Sequence, residues 1–302
     1  MFSDYLRDNL IDLRKYSCVQ VLRETPVRPL RNNELHYVHS WTVHEKWNPG
    51  LFDAHVFNKA DPGSLIAVEV DGAPVGVLSH ICLTSDFGFA GCFVLAPHFR
   101  NLIYGWVLIQ AGLKRMGTRC IGAEAEPRWL RIYEKYDMHP RSTTECWQGL
   151  AHARHPVAHE GITKLNDDLL PVVIDYDAKA FGVPRAAFIN QWIHLPDSLA
   201  LAFVRQSKVF GFGVIRKVYQ GYRIGPLQAD HPDIASALFD ALANFAGDEP
   251  VSIDCPDQNP EALLLVRNKG LRQISTSIRI FRGDPPPDAP QLVYGRMSLA
   301  LG

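Results

Sequence analysis

The alternation of apolar and polar residues along the first half of the chain predicts short strands and helices in a regular order. Two β-rich runs, LIAVEV and APVGVLSHICL, flank Asp71-Gly72 and predict a hairpin. FGFAGCFVLAP predicts another strand, and apolar residues at helical spacing predict a helix from about Tyr104 to Met116. Further along, TRCIGAEAE predicts a strand, PRWLRIYEKYD a helix and TTECWQGLA a strand. Upstream, MFSDYLRDNLIDLRKY and NNELHYVHSWTVHEKW predict amphipathic helices.

The second half has a similar order of elements. PVVIDYDAKAFGVPRAAFINQWI predicts a strand and a helix, LALAFVRQSKVFGFGVIRKV a hairpin, and GYRIGPLQAD a strand. DIASALFDALANFAG has helical periodicity with a glycine at its end, VSIDCP predicts a strand and EALLLVRNKG a helix. A polar stretch rich in histidine, AHARHPVAHEG, precedes this half and predicts a linker.

The shared order indicates an internal repeat. Val75-Gly76 and Phe210-Gly211 occupy equivalent hairpin strands, and Cys120–Glu124 corresponds to Val251–Cys255. The offset stays near roughly 130–135 residues, the size of one small domain. We therefore predict an α+β protein of two tandem domains, 1–150 and 151–302, each with a mixed, mostly antiparallel sheet flanked by helices.

The composition and net charge of the chain exclude some classes of function. The 302 residues contain 31 Lys and Arg against 32 Asp and Glu, a net charge of -1. This balance argues against a dedicated nucleic-acid or membrane-surface binder, which needs a basic footprint. No apolar run has the length of a membrane span, and the N-terminus lacks the core of a signal peptide. The six cysteines lack the close spacing of a disulfide framework or a zinc site, so we expect reduced thiols in a soluble, cytoplasmic protein.

Candidate chemistry lies where the strand ending at Pro97 leads into the helix. Free N–H groups at a helix N-terminus bind anions, and Arg100 and Gly105 would add charge and close backbone approach there. Ile103 occupies the place of a second glycine. The bare pattern is weak, because a surface arginine and a glycine that packs a helix would give the same letters.

The ordered set of motifs resembles the GNAT N-acetyltransferase family. Arg100 and Gly105 match the outer positions of its pyrophosphate signature, and Ile103 departs from the middle one. Tyr133-Glu134-Lys135 resembles the later Tyr-x-Lys element, although Asp137-Met138 replaces the usual Gly-Phe. WNPGLFDAHVF and GFAGCF are similar to the YitH-like tandem branch. The resemblance implies two GNAT-like domains and direct acyl transfer from acetyl-CoA bound between the fourth and fifth strands.

The same resemblance implies roles for individual residues. Tyr133 would protonate the departing thiolate. The CoA-binding backbone would come from Phe93, Val94 and Leu95 for the pantetheine arm, and from Arg100, Asn101, Leu102, Ile103, Tyr104, Gly105 and Trp106 for the pyrophosphate.

Three carboxylates are candidates for handling the acceptor amine. Glu124 and Glu126 lie two apart at the end of the fifth strand and so face the same side. Either is a candidate general base, and a solvated strand end is the equal alternative. Asp53 is a candidate for holding the substrate ammonium, although an ordinary turn carboxylate is at least as well supported, and Trp47 before the same turn is a candidate for contacting the substrate. His152, His155 and His159 lack a metal-ligand pattern, so we expect no metal.

The second copy lacks these parts. Asp230-His231-Pro232-Asp233 replaces the arginine turn, and Val266 replaces the tyrosine. We expect this degenerate domain to bind no CoA and to act as a lid that sets specificity. The sequence thus predicts an N-acetyltransferase for a small-molecule or amino-acid-like amine, a monomer or homodimer without nucleic-acid or membrane partners. A protein or peptide lysine acetyltransferase, and a non-catalytic acyl-CoA sensor or scaffold, are the alternatives.

Overall fold

The computed structural model describes residues 25–100, 102–150 and 160–302. The predicted N-terminal helix, Asn101, the side chain of Leu102 and the three linker histidines lie outside the described residues. Within the described part of the chain, no helix combines the length and the apolar character that crossing a bilayer requires.

The first half follows the predicted order. Its strands are β1 (Val27–Pro29), β2 (Leu65–Val70), β3 (Ala73–Cys82), β4 (Phe87–Leu95), β5 (Cys120–Ala125) and β6 (His139–Gly149). Its helices are α1 (Leu35–His44), α2 (Asp53–Ala60), α3 (Leu102–Met116) and the short α4 (Leu130–Tyr133). The predicted hairpin turn is confirmed, with Asp71 and Gly72 both at positive φ, 51° and 81°.

The second half repeats this order. Its strands are β7 (Ile162–Lys164), β8 (Ser198–Arg205), β9 (Lys208–Lys217), β10 (Tyr222–Ala229), β11 (Val251–Pro256), β12 (Arg272–Arg282) and β13 (Val293–Gly295). Its helices are α5 (Leu170–Phe181), α6 (Ala186–Trp192), α7 (Pro232–Ala243) and α8 (Pro260–Asn268). Both α7 and α8 begin with proline, which has no N–H to leave unpaired, after a side chain that caps the helix.

One predicted strand is wrong. PVVIDYDAKAF forms helix α5, although its Val-Val-Ile run favours a strand by propensity. Proline at the start supports the helix, and Val173, Tyr176, Asp177 and Ala180 recur at helical spacing on its buried face. Burial of this face in the main core outweighs the local preference of three β-branched residues.

All thirteen described strands form one sheet, and the two halves exchange strands at its centre. The order is β1-β2-β3-β4-β5-β12-β6-β11-β10-β9-β8-β7, with β13 attached to β10. Strand β12 of the second half therefore lies between β5 and β6 of the first, and β6 in turn pairs with β11. The α+β prediction is confirmed, and the two halves share their central strands.

The halves also share a core. The largest hydrophobic cluster joins α1 and α2 of the first half to α5, α6 and β9 of the second. At its edge, Asp53 forms a bidentate ion pair with Arg216, in which both N–O distances are 2.9 Å. The guanidinium carbon of Arg216 lies 4.4 Å from the ring centroid of Trp192. This contact fixes α2 against β9.

Candidate active site

The candidate site begins where β4 and β5 separate. These parallel strands pair only from Phe87 with Cys120 to Ala90 with Ala123, and beyond that point no pairing joins them. A bulge in β4 follows immediately, because Cys92 and Phe93 both lie opposite the single residue Leu78 of β3. Cys92 has a φ of 47°, an uncommon conformation for a residue with a side chain. The gap thus exposes backbone groups of β4 along Gly91 to Leu95.

A cavity of about 1700 Å³ passes through this gap and reaches both faces of the sheet. On the α3 face its wall is mostly apolar, formed by α3, α4 and the strands beneath them. On the opposite face it has a polar floor from β5, β6, β11 and β12, under α1 and α2. Most of the predicted site residues line it: Trp47, Asp53, Phe93, Val94, Leu95, Arg100, Ile103, Gly105, Trp106, Glu124, Glu126 and Tyr133. Tyr104 instead packs on Phe99, with ring centroids 5.9 Å apart.

Helix α3 lies close against β3 and β4 because of two glycines. A Cβ at Gly105 would lie 3.1 Å from the ring of Phe93, and one at Gly112 would lie 1.7 Å from the ring of His80. Gly105 therefore allows the close approach of α3 to Phe93 and also lines the cavity, and its contact with CoA stays a prediction. His80 is 3% exposed, and its burial lowers its pKa to about 4, so the ring is neutral at pH 7.

Arg100 lies at the rim of the cavity beside the start of α3. Its guanidinium donates to the carboxylate of Glu45 at the end of α1, and its Nε donates to the carbonyl of Leu95 at 3.2 Å. Its side chain remains 37% exposed. The arginine therefore joins α1 to the end of β4 and still presents charge at the entrance.

Tyr133, at the end of α4, lines the apolar side of the cavity. Burial, and then the negative charge of Glu126, raise its pKa to about 12. The phenol is therefore protonated at neutral pH. Among the described residues its hydroxyl forms no hydrogen bond, so its proton is available inside the cavity.

The two glutamates have different surroundings. The side chain of Glu124 is 2% exposed and accepts hydrogen bonds from Thr144, Ser277 and Arg279. Arg296 Nε lies 3.6 Å from the same carboxylate. These contacts favour a structural role for Glu124, and its role as a general base stays a prediction. Glu126 is 38% exposed at the cavity mouth and pairs with Arg128 at 2.6 Å.

The carboxylate of Asp53 joins the two halves. Both of its oxygens accept from Arg216, which favours a structural role, and its contact with a substrate ammonium stays a prediction. Trp47, 37% exposed, lies at the cavity wall as expected.

Sequence reasoning missed His39, on the cavity side of α1. Its Nε2 is buried and forms no hydrogen bond with the described residues. Burial lowers its pKa, and the charge of Asp53 offsets this only in part. The imidazole is therefore neutral at pH 7 and able to accept a proton. A helix rich in histidine, LHYVHSWTVH, gave no sign of which histidine faces the site.

Two thiols line the same cavity. Burial, with the charge of Asp53, raises the pKa of Cys92 to about 12, and burial with the charge of Asp254 raises that of Cys146 to about 12. Both thiols are protonated at neutral pH, and a thiol in that form is a poor nucleophile.

The equivalent gap in the second half is filled. Strands β10 and β11 pair over Tyr222 to Ile224 and then separate, as β4 and β5 do. Here β13 enters the gap and pairs with Leu227 and Gln228 of β10, while the N–H of Arg296 donates to the carbonyl of Asp254 on β11. The following residues continue into the first half, where Ala300 lies against Gly91. A single segment thus closes one gap and forms part of the wall of the other.

Comparison with known proteins agrees with this architecture. Residues 173–295 match the family model described as an acetyltransferase (GNAT) domain. This match falls on the second half, whose gap β13 fills. The holothin acyltransferase of Pseudoalteromonas sp. (strain SANK 73390) is 27% identical over 291 residues, which cover 96% of this chain and 99% of that protein.

Solved structures show the same fold. A protein of Pyrococcus horikoshii described as an acetyltransferase has a TM-score of 0.78 at 20% identity, covering 92% of this chain and 96% of that one. A tandem GNAT protein from the clavulanic acid biosynthesis pathway has a TM-score of 0.60 at 13% identity, covering 88% of this chain and all 100% of that one. Residues 173–295 are thus similar to a GNAT acetyltransferase domain, and nearly the whole chain is similar to a protein named as an acyltransferase.

Proposed function

We propose that this protein is an acyl-CoA-dependent N-acyltransferase that moves the acetyl group of acetyl-CoA directly to the amine of a small-molecule or amino-acid-like acceptor. One observation carries the proposal: a continuous cavity runs through the gap between β4 and β5 and joins an apolar side to a polar floor. The name of the holothin acyltransferase, a relative over nearly the whole chain, supports acyl transfer. Membership of the YitH-like branch is part of the same proposal.

The residues of the gap suit an acyl-CoA. The backbone of Gly91 to Leu95, which borders the gap, would pair with a pantetheine arm, and the start of α3 with Arg100 would hold the pyrophosphate. Acetyl-CoA supplies a thioester whose carbonyl carbon an amine can attack. The bulge at Cys92 and Phe93 leaves a backbone N–H without a regular strand partner, positioned to stabilise an oxyanion.

Two side chains are proposed to move protons. His39 Nε2 accepts the proton that the amine nitrogen loses as the C–N bond forms. Tyr133 donates its phenolic proton to the sulfur as the C–S bond breaks, and its raised pKa keeps that proton in place until then. Both cavity thiols are protonated, which supports direct transfer without an acyl-cysteine intermediate.

Steady-state transfer to a panel of small amines, followed by release of free CoA thiol, tests the proposal. We expect turnover with wild type and a decrease of about 10²-fold or more in kcat for Tyr133→Phe. Tyr136→Phe is the matched control, since Tyr136 lines the same wall. Binding of acetyl-CoA without turnover of any amine would instead support an acyl-CoA sensor.

A further inference from the structure

Asp254 differs from the other buried acids on the cavity floor. It lies at the centre of β11, is 0% exposed and faces the cavity. Neither of its carboxylate oxygens has a well-aligned hydrogen-bond donor among the described residues, although Arg223 pairs with Oδ2 and the thiol of Cys146 interacts with the carboxylate. By contrast, Glu124 and Asp53 are fully occupied by their donors. Because a buried carboxylate is rarely left without well-aligned donors, Asp254 is able to accept hydrogen bonds from a ligand.

Arg223, on the neighbouring strand β10, stands beside this carboxylate. Its Nη1 lies 3.2 Å from Asp254 Oδ2, and its Nε donates to the hydroxyl of Ser252 at 3.3 Å. The side chain of Arg223 is 9% exposed and also lines the cavity. The site therefore presents an acceptor and a donor side by side, and the pair as a whole is neutral.

This pair lies away from the gap where transfer takes place. Strands β12 and β6 separate β5 from β11, and three strand spacings of about 4.8 Å place Asp254 on the order of 14 Å across the floor from β5. Because the exchanged strands form this floor, the distance is set by the sheet. A group bound at Asp254 is consequently the remote end of an acceptor and not its reacting amine.

The chemistry of the pair favours a neutral group. An ammonium group would be attracted by Asp254 and repelled by Arg223. A carboxylate would be attracted by Arg223 and repelled by Asp254. A carboxamide or cyclic amide has an N–H for Asp254 and a C=O for Arg223 on one edge. We propose that Asp254 and Arg223 form a subsite for an amide group at the far end of the acceptor. This inference rests on the proposed function and adds the acceptor's chemical class.

Ligand-observed NMR titration tests the subsite without any turnover. The probes are linear N-acetyl amines of equal length that end in a carboxamide, a carboxylate or an ammonium. We expect wild type to bind the carboxamide about tenfold more tightly than either charged probe. In Asp254→Asn the uncompensated Arg223 should make the carboxylate the best ligand, and in Arg223→Met the uncompensated Asp254 should make the ammonium the best.

The two proposals fail in different ways. Preference of wild type for a charged probe, or the same ranking in all three proteins, overturns the amide subsite whatever the enzyme does. Retained binding of acetyl-CoA shows that a variant has kept its fold. If neither variant folds, the ranking of the three probes by wild type is sufficient to test the amide subsite. Absence of acetyl-CoA binding together with the expected ranking would overturn the proposed function and leave the subsite in place.

Discussion

At the scale of single residues, the site depends on which polar atoms are left unpaired. The residue types in the sequence suggested Glu124 and Asp53, and the structure shows both held by arginines from the other half. These partners, Arg279 and Arg216, are 155 and 163 residues away in the chain, so no local pattern could reveal the pairing. His39 is left with an unpaired buried nitrogen and is therefore the proposed base in place of Glu124.

The pH dependence of transfer tests His39. The base must be neutral, and burial lowers its pKa below the ordinary 6.5, so kcat/KM should fall only as pH drops below that value. Tyr133 must be protonated, and with a pKa of about 12 it should add no loss between neutral pH and pH 9. The acceptor should be an arylamine, whose nitrogen is unprotonated at neutral pH, so that ionisation of the acceptor does not contribute to the pH dependence of kcat/KM.

His39→Gln should remove the acidic limb and lower kcat/KM about 10²-fold, with the KM for acetyl-CoA unchanged. His44→Gln is the matched control, because His44 is exposed on the same helix and does not line the cavity. An unchanged acidic limb in His39→Gln would contradict the assignment.

At the scale of elements, sequence patterns predicted most strands and helices correctly but not their partners. The hairpins, α3 and the repeat followed from periodicity and turn residues. Helix α5 was not predicted from periodicity, because its helical conformation depends on burial against the other half. Filling of the second gap by β13 also escaped prediction, since three residues after a proline-rich stretch have no strand signal of their own.

Two glycines of α3 give a test of how tightly this helix lies on the sheet. In Gly112→Ala the new methyl would collide with the buried His80 ring at 1.7 Å, and we expect a loss of about 2 kcal/mol in the free energy of unfolding. In Gly105→Ala the nearest atom is 3.1 Å away on the partly buried Phe93, and the helix propensity of alanine should offset most of that contact. Urea unfolding measures both, and equal effects would contradict this packing.

At the scale of the whole molecule, strand exchange makes the two halves one structural unit. Strand β12 completes the sheet of the first half, and β6 completes that of the second. Each half alone would lose a central strand and expose two sheet edges. The polar floor, and with it the proposed amide subsite, exists only when both halves are present.

Separate production of 1–150 and 151–302 tests this unit. We expect neither part to give a cooperative unfolding transition alone, and a mixture refolded together to give one. Circular dichroism during urea unfolding is the measurement, with the intact chain as control. Cooperative unfolding of either part by itself would show that the exchanged strand is dispensable.

The most direct test is a calorimetric titration with acetyl-CoA. Ile109 lines the apolar side of the cavity, and its neighbour Gln110 is exposed on the same helix and does not line it. We predict one binding site per chain in wild type, because β13 closes the second gap. Ile109→Trp should abolish binding and Gln110→Trp should retain it. Two sites per chain, or binding that Ile109→Trp leaves intact, would contradict the placement of acyl-CoA between β4 and β5.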